Sequence, residues 1–468
     1  MCRVGIVVTM IVQIDVLFVC LALTVIIVRE SQSSLYSGVN MYSFSTRVQF
    51  QMLQILKMLS LCVTVIQAFF DVNSKVQRKV KDKALGLFKL LGFCSLALSV
   101  VTGTPALAQI KIGVTVSATG PAASLGIPEK NAFAVMPSEI AGQKVEYIIL
   151  DDATDPVAAV KNTRKLISED KVDIVLGSTI SPNSLAMVDV VSEAQTPMIS
   201  MASSLKIVDP VDAKKYWVFK VPQNDAHMMT ALSAHMSDVG VKTVGIIGFN
   251  DSYGEGVIAE FSKLAPVRRL SIVGTERYAR TDTSVTGQIL KLLASNPDAV
   301  LVAASGTPAV LPLKTLKDRG YKGKVYFTDG VINEDFLRVG GKDLDGSFLP
   351  AGPFVVASQL PDSNPIKKVS LDFIKLYDTK FPNQPPNSFT AHAWNTYLIL
   401  KNAVPIALKS GKPGTKEFRA ALRDAIEGTH DLVTTHGILN ISKSDHMGFD
   451  QRARVMVRIE NGQWKLVQ

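Results

Sequence analysis

Beyond residue 108 the sequence contains no cysteine; Cys2, Cys20, Cys62 and Cys94 all precede it. The remaining 360 residues therefore cannot supply a thiol nucleophile, a thiolate-bound zinc or a cysteine-held iron–sulfur cluster. A cysteine-free body of this size is compatible with an oxidising compartment. Histidine is scarce too. The six (His227, His235, His392, His430, His436, His446) show no H-E-x-x-H or similar spacing, so no metal site is expected. No G-x-S-x-G, Walker A or complete G-x-G-x-x-G is present, and Gly254-Glu255-Gly256 is a fragment of the last. Neither an enzyme nor a cofactor is expected. Basic excess is missing as well. Residues 1–108 hold 10 Lys+Arg against 4 Asp+Glu, the rest 40 against 37, so most of the net +9 sits in the first quarter. With no basic run and no basic stripe interleaved with aromatics, nucleic acid is not an expected partner.

What is there begins with apolar segments. Lys81 and Lys83 precede the run Leu90–Val101, and Pro105 precedes Ala106-Leu107-Ala108. A positive start, a short apolar core and an A-x-A site make residues 80–108 a secretory signal, with cleavage expected after Ala108. Twelve apolar residues are too few for a comfortable membrane span, and Phe93 stands where a lipoprotein signal wants a small residue before Cys94. Residues 1–79 hold two further apolar stretches, Val4–Val28 and Met52–Phe70. Two such stretches ahead of a signal peptide are hard to reconcile with export. Residues 1–79 are therefore expected to be upstream sequence, with initiation near Val80, or else a membrane segment. The mature form, from Gln109, is expected to lie free of the membrane.

With 468 residues and 47% hydrophobic content, two domains are the starting expectation. The body alternates β-rich runs with stretches apolar at helical spacing. Strands are predicted at Ile110–Val116, Val145–Leu150, Val172–Leu176 and Pro197–Ser200, and helices at Glu129–Ile140, Pro156–Glu169 and Pro182–Ala194. Asp155-Pro156, Ser181-Pro182 and Thr307-Pro308 read as a helix cap followed by proline in the first turn. After Trp217–Val221 a second βαβ set begins. Its strands are Thr243–Gly248, Ile272–Tyr278, Ala299–Ala303 and Val325–Thr328. Its helices are Asn224–Val239, Tyr253–Leu264, Ser284–Ala294 and Pro308–Arg319. Long helices (Asn364–Lys380, Phe389–Lys409, Lys416–Glu427) and two short strands follow. Such a series is an α/β fold of two doubly wound, Rossmann-like lobes.

Particular residues then carry a resemblance. Ile112-Gly113-Val114 with Ser117-Ala118-Thr119-Gly120-Pro121-Ala122, then Pro197-Met198-Ile199-Ser200, Asp251-Ser252-Tyr253-Gly254-Glu255-Gly256 and Tyr321-Lys322-Gly323 occur in an order and spacing that resemble the type I periplasmic binding proteins. The likeness is to the leucine/isoleucine/valine-binding receptors of ABC transporters and runs over 110–468. It implies a three-crossover hinge near 220–226, 348–354 and 434–440. The first lobe would comprise 109–223 with 352–436, and the second 224–351 with 437–468. It also implies a periplasmic receptor that binds a small carboxylate-bearing solute, a branched-chain or related amino acid, between the lobes and delivers it to an ABC transporter permease.

The same resemblance implies the site. Ser181 matches the serine that binds the ligand carboxylate; as an ordinary helix cap it would look the same. Ala202, Ser203 and Ser204 follow a strand where the family offers backbone groups and a hydroxyl. Tyr253 falls at an aromatic contact from the second lobe, and Asp329 where amino-acid receptors hold the ligand ammonium. Thr307 departs from the family, which often has tyrosine there. Ser124 and Leu125, in an expected loop, would add a wall. If Asp329 faces the cleft an α-amino acid is favoured; if it does not, a carboxylate with an uncharged far end becomes plausible, and a receptor for an aromatic or other organic carboxylate is an alternative. A ligand-sensing regulator on the same fold is the alternative function, distinguished by the signal peptide.

Overall fold

The computed structural model describes residues 109–467; the expected leader and the upstream residues lie outside them. Strand β1 (Ile110–Val116) is buried along almost its whole length. Its β-branched residues suit a strand covered on both faces. It pairs in parallel with β3 (Gln143–Asp151) and β4 (Ile174–Gly177). The parallel series continues through β5 (Met198–Ser200) to β6 (Val218–Lys220). A two-residue strand, β2 (Glu139–Ile140), closes the other edge against β3, giving the order β2-β3-β1-β4-β5-β6.

Alternate residues of this first sheet feed two cores, as strand pleating requires. Ile174 and Leu176 join Phe219 and the later aromatic residues Phe373 and Trp394 in one. Val175 joins Met187, Val191 and Leu166 in the other. Helices α1 (Ala123–Phe133), α2 (Pro156–Ser168) and α3 (Ser181–Glu193) connect the strands. Helix α1 lies earlier than the predicted 129–140. It tolerates Pro128 in its interior, and it stops before Pro137, whose ring disfavours the helical conformation at Met136. Ser124 and Leu125 are therefore helical, not in a loop.

The second sheet has the order β15-β14-β11-β10-β9-β7-β8. Its parallel part is β7 (Thr243–Phe249), β8 (Ser271–Tyr278), β9 (Ala299–Ala303), β10 (Lys324–Phe327) and β11 (Phe348–Ala351), and β14 (Val455–Glu460) and β15 (Gln463–Leu466) add an antiparallel edge. Helices α4 (Asp225–Asp238), α5 (Ser252–Val267), α6 (Thr286–Ala294), α7 (Val310–Asp318) and α8 (Glu334–Gly340) link these strands around a single large core. The short β11 and α8 were not predicted.

Helices α9 (Pro365–Asp378), α10 (Ser388–Ala407) and α11 (Lys416–Glu427) return to the first lobe, where Phe373, Trp394, Leu400 and Phe418 share its core. The chain does not leave that lobe near 434–440. Leu439 of the small hairpin β12–β13 (Leu432–Val433, Ile438–Leu439), with Ile441, Met447, Phe449 and Ala453, still packs into the first core. Val457, Ile459 and Trp464 pack into the second. The last crossover therefore falls between Ala453 and Val455, and the expected assignment of 437–453 to the second lobe is corrected. The strand pattern of 455–466 was visible in the sequence, but the loop before it has no periodicity to say which core its apolar residues join. At the hinge the Gln223 side chain donates to the Ala453 carbonyl at 2.5 Å, tying the first crossover to the last.

Candidate functional site

In a doubly wound sheet the crevice opens beyond the carboxyl ends of the strands where the winding reverses. In the first lobe that point lies between β1 and β4, and in the second between β7 and β9. The segments leaving those four strands meet across the cleft. Leu125, Thr179, Ile180 and Ser181 approach from the first lobe, with Met201, Ser203 and Phe389; Tyr253, Arg280, Ser305 and Gly330 approach from the second. Together they line a cleft with about 280 Å³ of empty space, part of it open to solvent. The Thr307 N–H donates to the Ser124 hydroxyl across the lobes at 3.4 Å. Gly306 next to it has φ +65°, and a Cβ there would stand 3.0 Å from that hydroxyl. Glycine thus allows both the backbone turn and the close approach.

The first-lobe wall is built on an internal hydrogen-bond lattice. The Thr179 hydroxyl accepts from the Ser117 N–H and donates to the Glu129 carboxyl. Burial pushes Glu129 well above the usual carboxylate range; the Thr179 bond opposes the shift and the Asp152 charge adds to it. Asp152 in turn accepts from the Ser117 and Ser178 hydroxyls at 2.7 and 2.6 Å. Ser181 is not the cap of α3: that position is Ile180, which offers no side-chain bond, and Ser181 opens the helix with Pro182 second. The Ser181 hydroxyl instead accepts from the Ser204 N–H at 3.3 Å, which ties the head of α3 to the loop after β5. Thr307 likewise starts a short 3₁₀ turn capped by Gly306.

From the second lobe, Asp251 caps α5 by accepting from the Tyr253 and Gly254 N–H groups. Its other carboxylate oxygen holds the Arg280 Nε at 2.6 Å. The Arg280 guanidinium lies 4.1 Å over the Phe249 ring and donates from Nη1 to the Ser305 hydroxyl at 2.9 Å. Tyr253 donates to the Thr328 hydroxyl at 2.7 Å. Burial first, and then the Asp329 charge, raise its phenol well above the ordinary range, so it stays neutral. Gly330 gives that phenol room, because a Cβ there would come within 2.5 Å of the Tyr253 oxygen.

The expected site residues therefore divide. Leu125, Ser181, Ser203 and Tyr253 line one cavity, while Ser124 and Thr307 bridge the lobes beside it. Ala202, Ser204 and Asp329 are buried but are not among the lining residues. Burial pushes the Asp329 carboxyl up to about 6 against the opposing charge of Lys220. The Lys220 ammonium, fully buried, donates to the Pro222 and Gln223 carbonyls at 2.7 and 3.1 Å. Burial also raises Asp225 and lowers Lys220, each opposed by the charge of the other. Sequence reasoning missed Arg280, Ser305, Thr179, Met201 and Phe389. Arg280 and Ser305 lie two residues past the ends of β8 and β9, and the strand-end rule applied to every strand would have raised both.

No group of His, Cys, Asp and Glu among the described residues is arranged to hold a metal ion. No described helix is long and apolar enough to cross a membrane. Two facing α/β lobes with a cavity between their strand ends define a bilobal solute-binding protein. The family model described as periplasmic binding protein matches residues 109–463, and the chain belongs to that family. The Leu/Ile/Val-binding protein homolog 3 of Brucella melitensis is 22% identical over 363 residues, covering 76% of this chain and 93% of the relative. An extracellular ligand-binding receptor from Rhodopseudomonas palustris HaA2 is 44% identical with a TM-score of 0.76, over 77% of this chain and all of that one. A solute binding protein of an ABC transporter from Rhodopseudomonas palustris BisB5, solved with 3,4-dihydroxy benzoic acid, shares the fold at 20% identity and TM-score 0.64, over 76% and 95% of the two chains. Family members are solute-binding proteins, not enzymes, and this chain is a solute-binding receptor.

Proposed function

We propose that the chain is the periplasmic receptor of an ABC importer and captures a small carboxylate-bearing solute in the interlobe cavity. The observation that carries this reading is that Ser181 at the head of α3 and Ser203 in the loop after β5 line the same cavity as an apolar wall of Leu125, Ile180, Met201 and Phe389. A helix N-terminus with adjacent hydroxyls suits an anion, and the wall suits a compact apolar body. In this reading Ser181 and Ser203 take the carboxylate with backbone groups of Ala202 and Ser204, and Tyr253 and Leu125 pack on the body. Ser124 and Thr307 latch the lobes, and Asp329 sits behind the cavity.

Capture involves no chemistry. The solute settles on the first lobe, the second swings about the three crossovers, and the closed form docks on the permease. Closure follows only if the ligand binds the closed arrangement more tightly than the open one. The leader at 80–108 would deliver the receptor to the periplasm and be removed after Ala108. The names of the relatives support both an amino acid and an aromatic acid as ligand class. A thermal-shift screen of the purified chain from Gln109 onward, against amino acids and aromatic and aliphatic carboxylates, tests the reading, since a ligand at a hundredfold its Kd adds about 2.7 kcal/mol of stability. A screen in which no carboxylate raises the melting temperature refutes it.

A further inference from the structure

Arg280 is the one charged side chain among the described residues that line the cavity. Its side chain is 9% exposed and held on three sides: by Asp251 at Nε, by the Phe249 ring beneath the guanidinium, and by Ser305 at Nη1. Two of its five N–H bonds are thereby used, and the other three make no hydrogen bond to the described residues. A guanidinium locked in this way presents a rigid planar donor edge, and the entropy of ordering a long side chain is already spent.

The charge balance narrows what that edge can meet. Asp251 neutralises Arg280, so the pair brings no net charge to the cavity. The buried carboxyls outside this pair are engaged elsewhere: Asp225 and Asp329 lie in the field of Lys220, Glu129 accepts from Thr179, and none of the three is a lining residue. A ligand ammonium in the second-lobe half would meet an arginine and no facing carboxylate. Burying an ion without a partner is costly enough to exclude it. An oxygen acceptor in the same place would receive ready-made, charge-assisted hydrogen bonds.

We infer that Arg280 sets the ligand class, selecting carboxylates without an ammonium group whose far end carries an oxygen acceptor, either a hydroxyl or a second carboxylate. This rests on the reading that the first-lobe serines take a carboxylate. The acceptor stands against the second lobe, so Arg280 meets it as the lobes close, and discrimination is built into closure.

Calorimetry on the chain from Gln109 onward, with benzoate, 4-hydroxybenzoate, terephthalate and leucine as probes, tests this. The unaltered protein is expected to bind 4-hydroxybenzoate or terephthalate at least tenfold more tightly than benzoate, and leucine more weakly than all three. Arg280→Met should erase the preference, so that the affinities for benzoate and its acceptor-bearing partners converge. Arg280→Lys, which keeps a partner for Asp251 but lacks the planar fork, should retain part of it, and Ser305→Ala should weaken it with the guanidinium still in place. Equal affinities for benzoate and its acceptor-bearing partners in the unaltered protein would overturn the inference. So would tighter binding of leucine, or an unchanged preference in Arg280→Met. Failure of every carboxylate to bind the unaltered protein is a different result, and it removes the carboxylate reading itself.

Discussion

The backbone N–H of Ser204 donates to the Ser181 hydroxyl at 3.3 Å, joining the two first-lobe loops that leave neighbouring strands. One hydroxyl therefore serves both the shape of the wall and, in the proposed reading, the ligand. Ser181→Ala should weaken binding of the best carboxylate at least tenfold, about 1.4 kcal/mol. It should also reduce unfolding stability by about 1–3 kcal/mol, because the buried Ser204 N–H loses its acceptor. Calorimetry and urea unfolding on the same variant separate the two effects. A stability loss with unchanged affinity would confine Ser181 to the wall.

The division of the sequence-derived site has physical causes. Ser181, Ser203 and Tyr253 follow strand ends marked by clear apolar runs, and so could be placed without coordinates. The position of Asp329 in the chain was equally plain. Whether its carboxyl faced the cavity depended on Lys220 and Asp225, which approach it only after the chain has crossed between lobes. Arg280 was hidden by its ordinariness: an arginine after a strand is common, and its meaning comes from Phe249, Asp251 and Ser305, none of which its local pattern reveals. The lobes themselves were legible because β-rich runs such as Ile110–Val116 and Ala299–Ala303 alternate with stretches apolar at helical spacing. The final crossover was not, because the loop from Ile441 to Ala453 carries apolar residues without period.

Lys220 faces two buried carboxyls, and its removal should be costly. Lys220→Met removes the charge that opposes the upward shifts of Asp225 and Asp329 and leaves the Pro222 and Gln223 carbonyls without their donor, and it is expected to cost about 1–3 kcal/mol. Adding Asp225→Asn to that variant should restore a substantial part, since one of the two buried carboxyls is gone. A double-mutant cycle by denaturant unfolding measures the coupling. Additive losses would show that the two groups act independently.

Asp329 provides a pH signature. Burial pushes its carboxyl up to about 6, and the Lys220 charge only partly offsets the shift. An unfolded aspartate titrates near ~3.9, so between these values the folded chain holds the proton more tightly than the unfolded one. This group's contribution is therefore fully present below about pH 4 and lost as pH rises to about 6. Subtracting the stability profile of Asp329→Asn from that of the unaltered protein should leave a curve that falls across this window and is flat above it. A flat difference throughout would mean that the carboxyl titrates normally in the fold.

Gly330 ties the site to its scaffold. A Cβ at this position would stand 2.5 Å from the Tyr253 oxygen and 2.7 Å from the Ser305 Cβ, closer than packing allows. Gly330→Ala must therefore displace Tyr253, Ser305 or both, and overpacking of this kind costs about 1–3 kcal/mol. The Tyr253 phenol is the more movable of the two contacts, yet its bond to Thr328 anchors it. Combining Gly330→Ala with Tyr253→Phe removes the nearest oxygen and should recover part of the stability. It should not recover affinity for an acceptor-bearing carboxylate, because the Ser305 contact persists and Ser305 holds the Arg280 Nη1. Thermal melts with and without ligand distinguish these outcomes. Recovery of both stability and affinity would place the whole effect at Tyr253 and leave Ser305 without a part in binding.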